Sequence, residues 1–202
     1  MPTEQDKTIR KLRAILSADV KGYSLLMADD EAFTIKTLKT YRNIMSELIK
    51  QHNGRVVDSP GDNLLADFAS VVDAVACATE IQKVLKVQNE DLPDNKKLEF
   101  RIGVNIGDIV QDGNRIYGNG VNVAARIEGL AESGGICISR NAYSHVRDKL
   151  ELGYEYLGEH SVKNIKDPVR VYRLLPDAMA KGSVVYKRRR DDPRHRRKSS
   201  SK

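Results

Sequence analysis

The chain has 202 residues and a mass of 22.6 kDa, enough for one domain with a buried core and too little for a repeat array or several domains. Hydrophobic residues make up 40% and charged residues 31%, and no apolar run approaches the roughly 20 residues of a membrane-crossing helix, which excludes an integral helical membrane protein. The net charge of +6 belongs to one end: from Lys181 to Lys202 ten Lys or Arg face only Asp191 and Asp192, a net of +8, so the preceding 180 residues carry −2. Such a block, with Pro193, Ser199 to Ser201 and almost no apolar residue after Tyr186, cannot build a core. Residues 177–202 are therefore expected to form a basic, disordered tail, a solvated terminus without a specific partner, able at most to touch acidic lipid or nucleic acid through its charge. No specific nucleic acid is implied. Residues 1–9 read as an N-terminal arm; Met1 to Ile15 hold no apolar block, so no secretory signal is visible and a cytoplasmic location is expected. Cys77 and Cys137, in apolar stretches without a Cys-x-x-Cys pair, read as small buried hydrophobes, and His52, His145, His160 and His195 show no metal spacing.

Lys11 to Asp19 reads as a strand, apolar at Leu12, Ala14, Ile15 and Leu16 and polar at its Ser17-Ala18-Asp19 end, with Lys21-Gly22 breaking the pattern. From Asp30 to Gln51, Phe33, Leu38, Tyr41, Met45 and Leu48 recur at three- and four-residue spacing, an amphipathic helix stopped by Asn53-Gly54. Arg55 to Asp58 and Asn63 to Phe68 form a hairpin about Ser59-Pro60-Gly61-Asp62, where Pro-Gly supplies the turn. Ser70 followed by Asp73 has the form of a capping box, and Val71, Val75, Ala78, Ile81 and Leu85 line one face of a second helix. Phe100, Ile102, Val104 and Ile106 alternate with Arg101, Gly103 and Asn105, a strand expected to run to Gln111. The remainder predicts a loop through Asp112-Gly113-Asn114, Gly118-Asn119-Gly120 before a helix from Val121 to Ala131, a strand Ile136 to Ile138, a helix capped by Ser139, and a closing strand Val169 to Leu174, with Pro176 at the domain end.

The order is β-α-β-β-α-β, so the expected fold class is α+β: a ferredoxin-like core with a C-terminal βα extension over residues 10–176. In that topology the first and third strands are antiparallel neighbours, which places Asp19, ending one, beside Asp62, just before the other. Each aspartate alone is as well explained as a cap or a turn former. As a pair at neighbouring strand ends they suit two hard divalent cations about 3.5 to 4 Å apart, the arrangement used for in-line displacement at phosphorus. The segment from Val20 to Ser24 offers backbone NH groups at a helix start, suited to phosphate.

Five blocks, in order, resemble the class III nucleotidyl cyclases, the adenylate and guanylate cyclase catalytic domains, in a style similar to bacterial members of the rhizobial type. They are Ser17-Ala18-Asp19-Val20-Lys21-Gly22-Tyr23-Ser24; Pro60-Gly61-Asp62; Arg101-Ile102-Gly103-Val104-Asn105-Ile106-Gly107; Ile116-Tyr117-Gly118-Asn119-Gly120-Val121-Asn122-Val123-Ala124-Ala125-Arg126; and Val162-Lys163-Asn164 through Pro168-Val169-Arg170-Val171-Tyr172. The resemblance implies that Asp19, Asp62 and the Val20 carbonyl hold two divalent cations, Mg²⁺ or Mn²⁺. It implies that Asn122 orients the ribose, that Arg126 stabilises charge on the α-phosphate, and that Gly22, Tyr23, Ser24 and Lys163 contact the phosphates, although Asn164 stands where the family has glycine. It also implies a homodimer with sites shared across the interface, acting on ATP or GTP.

Two positions depart from the adenylate pattern: Asp58 replaces a lysine four residues before Asp62, and Arg115 replaces an aspartate seven before Asn122. Guanine presents a carbonyl acceptor beside NH donors, so an acidic and a basic group in these places complement it, which keeps GTP open beside the ATP expected of bacterial members. A nucleotide-binding pseudo-cyclase without turnover is the alternative, opposed by the presence of Asp19, Asp62, Asn122 and Arg126. A nucleic-acid module would rest on the tail alone, and Pro60-Gly61-Asp62-Asn63 is not the hairpin turn of a diguanylate cyclase.

Overall fold

The computed structural model describes residues 9–161, 165, 167–175 and 184–186. At its centre lie two long antiparallel strands, β1 (Ile9–Val20) and β4 (Phe100–Asp112), in register from Ile9 opposite Gln111 to Val20 opposite Phe100. β1 reads as a nearly continuous apolar run because both its faces are covered. Ala14, Leu16, Ala18 and Val20 face the main core, while Ile15 joins a second cluster on the other face. The main core is closed by α2 (Glu31–Gln51), through Leu38, Tyr41 and Met45, and by α3 (Val71–Glu90), through Val75, Ala78 and Ile81. Both helices begin on side-chain caps, the expected Ser70, which accepts from the Asp73 NH at 3.3 Å, and Asp30, which accepts from the Phe33 NH at 3.1 Å.

β2 (Gly54–Asp58) and β3 (Leu64–Phe68) form the expected hairpin, and β3 pairs with β1 on the edge opposite β4. The buried Asp67 of β3 is held by Arg13 of β1 at 2.8 Å and by Arg55 of β2 at 2.7 Å, a polar tie between three strands. On the far side of β4 come β6 (Ile136–Ser139), β8 (Val169–Leu175), β7 (Gly153–His160) and β9 (Val184–Tyr186), giving the order β2-β3-β1-β4-β6-β8-β7-β9. α5 (Arg140–Val146), capped by Ser139, joins α2 and α3 over the main core, whereas α4 (Asn119–Glu128) packs alone on the opposite face against β1 and β4.

Four elements were not read in full, besides the single 3₁₀ turn Asp94–Lys96. Of α1 (Tyr23–Asp29) only a start between Val20 and Ser24 was expected: it buries no residue, so it leaves no amphipathic stripe. β5 (Arg115–Tyr117) turns the expected loop into a three-residue pairing with the end of β4. β7 mixes two glycines with charged residues, and a register shift between Tyr156 and Gly158 breaks its alternation. β9 lies inside the stretch expected to be disordered beyond 176: the β-prone triplet Val184-Val185-Tyr186 pairs in parallel with β7. α4 also begins and ends two to three residues earlier than its pattern suggested, at Asn119 and Glu128.

Candidate active site

The register places Ala18 opposite Leu64, so Asp19 at the end of β1 lies beside the turn that carries Asp62. That turn is closed by the Asn63 NH donating to the Pro60 carbonyl at 3.0 Å, with Gly61 at φ +57°. Arg42 of α2 pins it from outside, donating to the Gly61 carbonyl and, at 2.9 Å, to that of Asn63. Asp19 thus ends its strand beside the braced turn that carries Asp62. Just beyond Asp19 the chain reverses at Gly22, whose φ of +72° suits glycine, and Tyr23 and Ser24 open α1 beside the same edge. The Lys21 NH is spent on the Glu99 carbonyl at 2.9 Å, which removes one donor from that segment.

Two further charged groups meet Asp19. Arg101, directly opposite on β4, donates Nε to Oδ1 at 2.9 Å and a terminal nitrogen to Oδ2 at 2.5 Å, a two-pronged pair. The guanidinium is raised above its ordinary pKa, first by the hydrogen bonds to Asp19 and further by the charges of Asp19, Glu128 and Asp62. Glu128, on the inner face of α4 and only 5% exposed, accepts from the Ser17 hydroxyl at 2.5 Å and lies near enough to Asp19 to feel its charge. Burial first, and then the neighbouring Asp19, push its pKa up to about 7, against the pull of Ser17 and Arg101. Neither Arg101 nor Glu128 was singled out from the sequence. The signal for Arg101 is the β1–β4 register across 82 residues of chain; the signal for Glu128 is its place on a helix face that only the packed structure defines.

α4 can lie this close because β4 has Gly103 beneath it: a Cβ there would stand 2.3 Å from the Ala124 carbonyl oxygen and 2.5 Å from the Glu128 nitrogen. The helix carries Asn122 and Arg126 on its exposed outer face, one turn apart, while Val123, Ala124, Ile127 and Glu128 are buried. Arg126 precedes Glu128 by two residues, about 200° around the helix, so it points away from the Asp19 corner of its own chain. Asp58 and Arg115 are both exposed on neighbouring elements, Asp58 directly after a bulge in β2 and Arg115 at the start of β5. The Arg115 guanidinium is raised in pKa first by a hydrogen bond to Tyr117 and then by the charge of Asp58. Lys163 lies outside the described residues.

Asp19, Asp62 and the Val20 carbonyl are hard oxygen donors, and among the described residues no group of three His, Cys, Asp or Glu is placed to hold a metal by itself. This sparse set fits Mg²⁺ or Mn²⁺, which is bound through one or two carboxylates and completes its octahedron with water and substrate phosphate.

A fold with this paired sheet edge and a lone helix presenting Asn and Arg outward is that of a nucleotidyl cyclase domain. The family model described as the adenylate and guanylate cyclase catalytic domain matches residues 8–176, and the chain belongs to that family. A protein of Rhizobium meliloti (strain 1021) named "Putative adenylate cyclase 3" is 40% identical over 173 residues, covering 85% of this chain and 30% of that protein, so the chain spans less than a third of that relative's length. Among solved structures, an adenylate/guanylate cyclase/hydrolase from Silicibacter pomeroyi superposes with a TM-score of 0.80 at 40% identity, over 85% of this chain and 100% of that one. The adenylyl cyclase CyaB from P. aeruginosa superposes with a TM-score of 0.73 at 26% identity, over 87% and 98%. Members of this family generally use two divalent metals, in keeping with the donor set at Asp19 and Asp62.

Proposed function

We propose that the chain closes a nucleoside triphosphate, ATP in first place, into its 3′,5′-cyclic monophosphate and pyrophosphate for cyclic nucleotide signalling, and that it works as a twofold homodimer with two shared sites. One observation carries this reading: Asp19 ends its strand beside the turn that carries Asp62, while Asn122 and Arg126 face outward from the same chain. A single chain therefore holds two half-sites, and a second copy placed head to tail completes both. Two divalent cations bound by Asp19, Asp62 and the Val20 carbonyl would lower the pKa of the ribose 3′ hydroxyl and screen the triphosphate. Asn122 orients that ribose. Arg126 of the other subunit supplies a fixed cation as the bond from the 3′ oxygen to the α-phosphorus forms and the bond to pyrophosphate breaks, a role worth about 10³-fold or more in phosphoryl transfer. Gly22, Tyr23 and Ser24 border the phosphates beside Asp19, and Lys163 is assigned to the β and γ phosphates.

The relative from Rhizobium meliloti, named for adenylate cyclase, favours ATP. The exposed Asp58 and Arg115 favour GTP as a second reading, because an acid and a guanidinium side by side match the NH and carbonyl edges of guanine. The test is to incubate the purified chain with Mn²⁺ and equal ATP and GTP and to resolve the cyclic products by chromatography, with Asp62→Ala as the blank. Cyclic AMP alone supports the first reading and cyclic GMP alone the second. No product from a verified dimer would overturn both in favour of a nucleotide-binding regulator.

A further inference from the structure

Arg101 and Asp19 face each other across two central strands, their side chains only 18% and 23% exposed. The guanidinium takes both Asp19 oxygens, reaches the Gly129 carbonyl at the end of α4 at 3.4 Å, and stands within the fields of Glu128 and Asp62. Its two-pronged bond goes to Asp19 of β1, while the charges of Glu128 on α4 and of Asp62 on the β2–β3 turn act on it from nearby. We propose that Arg101 is a positioning residue that serves as the built-in counter-ion of this corner: in the metal-free protein it occupies the coordinating edge of Asp19, and it thereby sets the divalent cation concentration at which the site loads. This rests on the reading of Asp19 as a metal ligand.

The physical basis is occupancy. A carboxylate offers about four lone-pair positions. The Arg101 fork uses the one on each oxygen that faces it, so a cation held by both Asp19 oxygens from that edge must displace the fork, and a cation on any other edge meets the charge of the guanidinium. Without Arg101, the carboxyl groups of Asp19, Asp62 and Glu128 would repel one another in a part-enclosed site. Removing Arg101 therefore moves two observables in opposite directions: the metal-free fold weakens and cation affinity rises. A residue with a merely structural role would lower both.

The experiment is a Mn²⁺ titration of the nucleotide-free full chain, reading free Mn²⁺ by electron paramagnetic resonance, with melting temperatures taken with and without the ion. The expected result is that Arg101→Gln binds Mn²⁺ roughly tenfold tighter than the parent, the scale of one charge-assisted pair, with Arg101→Lys between them. Arg101→Gln should also melt lower without metal and gain more on adding it. Equal or weaker binding by Arg101→Gln overturns the proposal. Asp19→Asn separates the causes. If it loses Mn²⁺ while Arg101→Gln gains nothing, the counter-ion role alone fails; if it binds like the parent, Asp19 is not a ligand and the reading beneath the proposal fails too. Should the Arg101 variants not fold, the Arg101 Nε–Hε resonance of the parent is followed by NMR during a Mg²⁺ titration. Movement with the binding midpoint supports displacement of the guanidinium, and a resonance unchanged to saturation overturns it.

Discussion

Gly103→Ala is the sharpest perturbation of this architecture. The added Cβ would meet the Ala124 carbonyl oxygen at 2.3 Å, the Glu128 nitrogen at 2.5 Å and the Glu128 Cα at 2.8 Å, all backbone, so no side chain can rotate away. Ordinary contact is regained only if α4 rises by about 1 Å, and overpacking of that kind costs about 1–3 kcal/mol. The lift also loosens Ala124 from Ile15 and lengthens the 2.5 Å bond between Ser17 and Glu128, for about 1 kcal/mol more. A loss of about 2–4 kcal/mol is expected by urea unfolding. Because the lifted helix carries Asn122 and Arg126, nucleotide cyclisation should fall further than the folded fraction does. Gly107→Ala is the matched control: its nearest neighbour, the Gly120 Cα, stands at 3.1 Å and a few tenths of an ångström relieve it, so a loss under about 1.5 kcal/mol is expected. A Gly103→Ala protein within about 0.5 kcal/mol of the parent and equally active would refute the seating of α4 on β4 described above.

Three further outcomes are expected. Glu128 holds its proton more tightly folded than unfolded, so its contribution to stability is complete below about 4.5 and is lost as pH rises through about 7, up to about 3 kcal/mol in all. Glu128→Gln should flatten that fall in metal-free urea midpoints between pH 5 and 8, and parallel curves for the two proteins would show that Glu128 is not the group responsible. Asp19→Ala and Arg126→Ala, each inactive alone, should recover part of the activity when mixed, since a mixed dimer rebuilds one complete site; heterodimers without activity would sink the shared-site reading. Asp58→Lys combined with Arg115→Asp should shift the ratio of ATP to GTP turnover toward ATP by about tenfold or more, and an unchanged ratio would remove both residues from base selection.

Much of this was legible in the residues. An apolar run located β1, a period of two β4, and periods of three to four α2 and α3, and the expected caps at Ser70 and Ser139 fell on the helix starts. The placement of Asp19 beside the Asp62 turn followed from strand order alone, because antiparallel neighbours must bring one end to the other's beginning. What escaped depends on tertiary placement. Arg101 is an ordinary polar residue of an alternating strand until the register sets it against Asp19, and Glu128 looks like any acidic residue late in a helix until α4 is turned with that side inward. β7 was missed because its glycines and charges carry no period-two signal, although Tyr154 is buried in the core and the ring of Tyr156 sits against that of Tyr172, which stacks on Tyr143.

The position of Glu128 bears on how the two proposed sites relate. Its side chain ties α4 to Ser17 on the inner face and feels the charge of Asp19, while Arg126 and Asn122 leave the outer face toward solvent. In a head-to-tail dimer the same ten-residue helix would therefore touch the metal corner of its own chain on one side and the substrate of the opposite site on the other. In such a dimer, a change at this corner, such as displacement of Arg101 by an arriving cation or loss of the Ser17 bond, would act on the seating of α4 and through it on Arg126 at the other site. The coupling needs no long pathway, since inner and outer faces of one helix move as a rigid body. It predicts that Ser17→Ala, which touches neither metal nor nucleotide, lowers turnover more than it weakens Mn²⁺ binding. In mixed dimers that carry Ser17→Ala on one chain and Arg126→Ala on the other, the surviving activity should be the lower when Ser17→Ala sits on the chain that supplies Arg126 than when both changes share one chain. Equal activity in the two arrangements would mean that the inner face of α4 does not govern what its outer face presents.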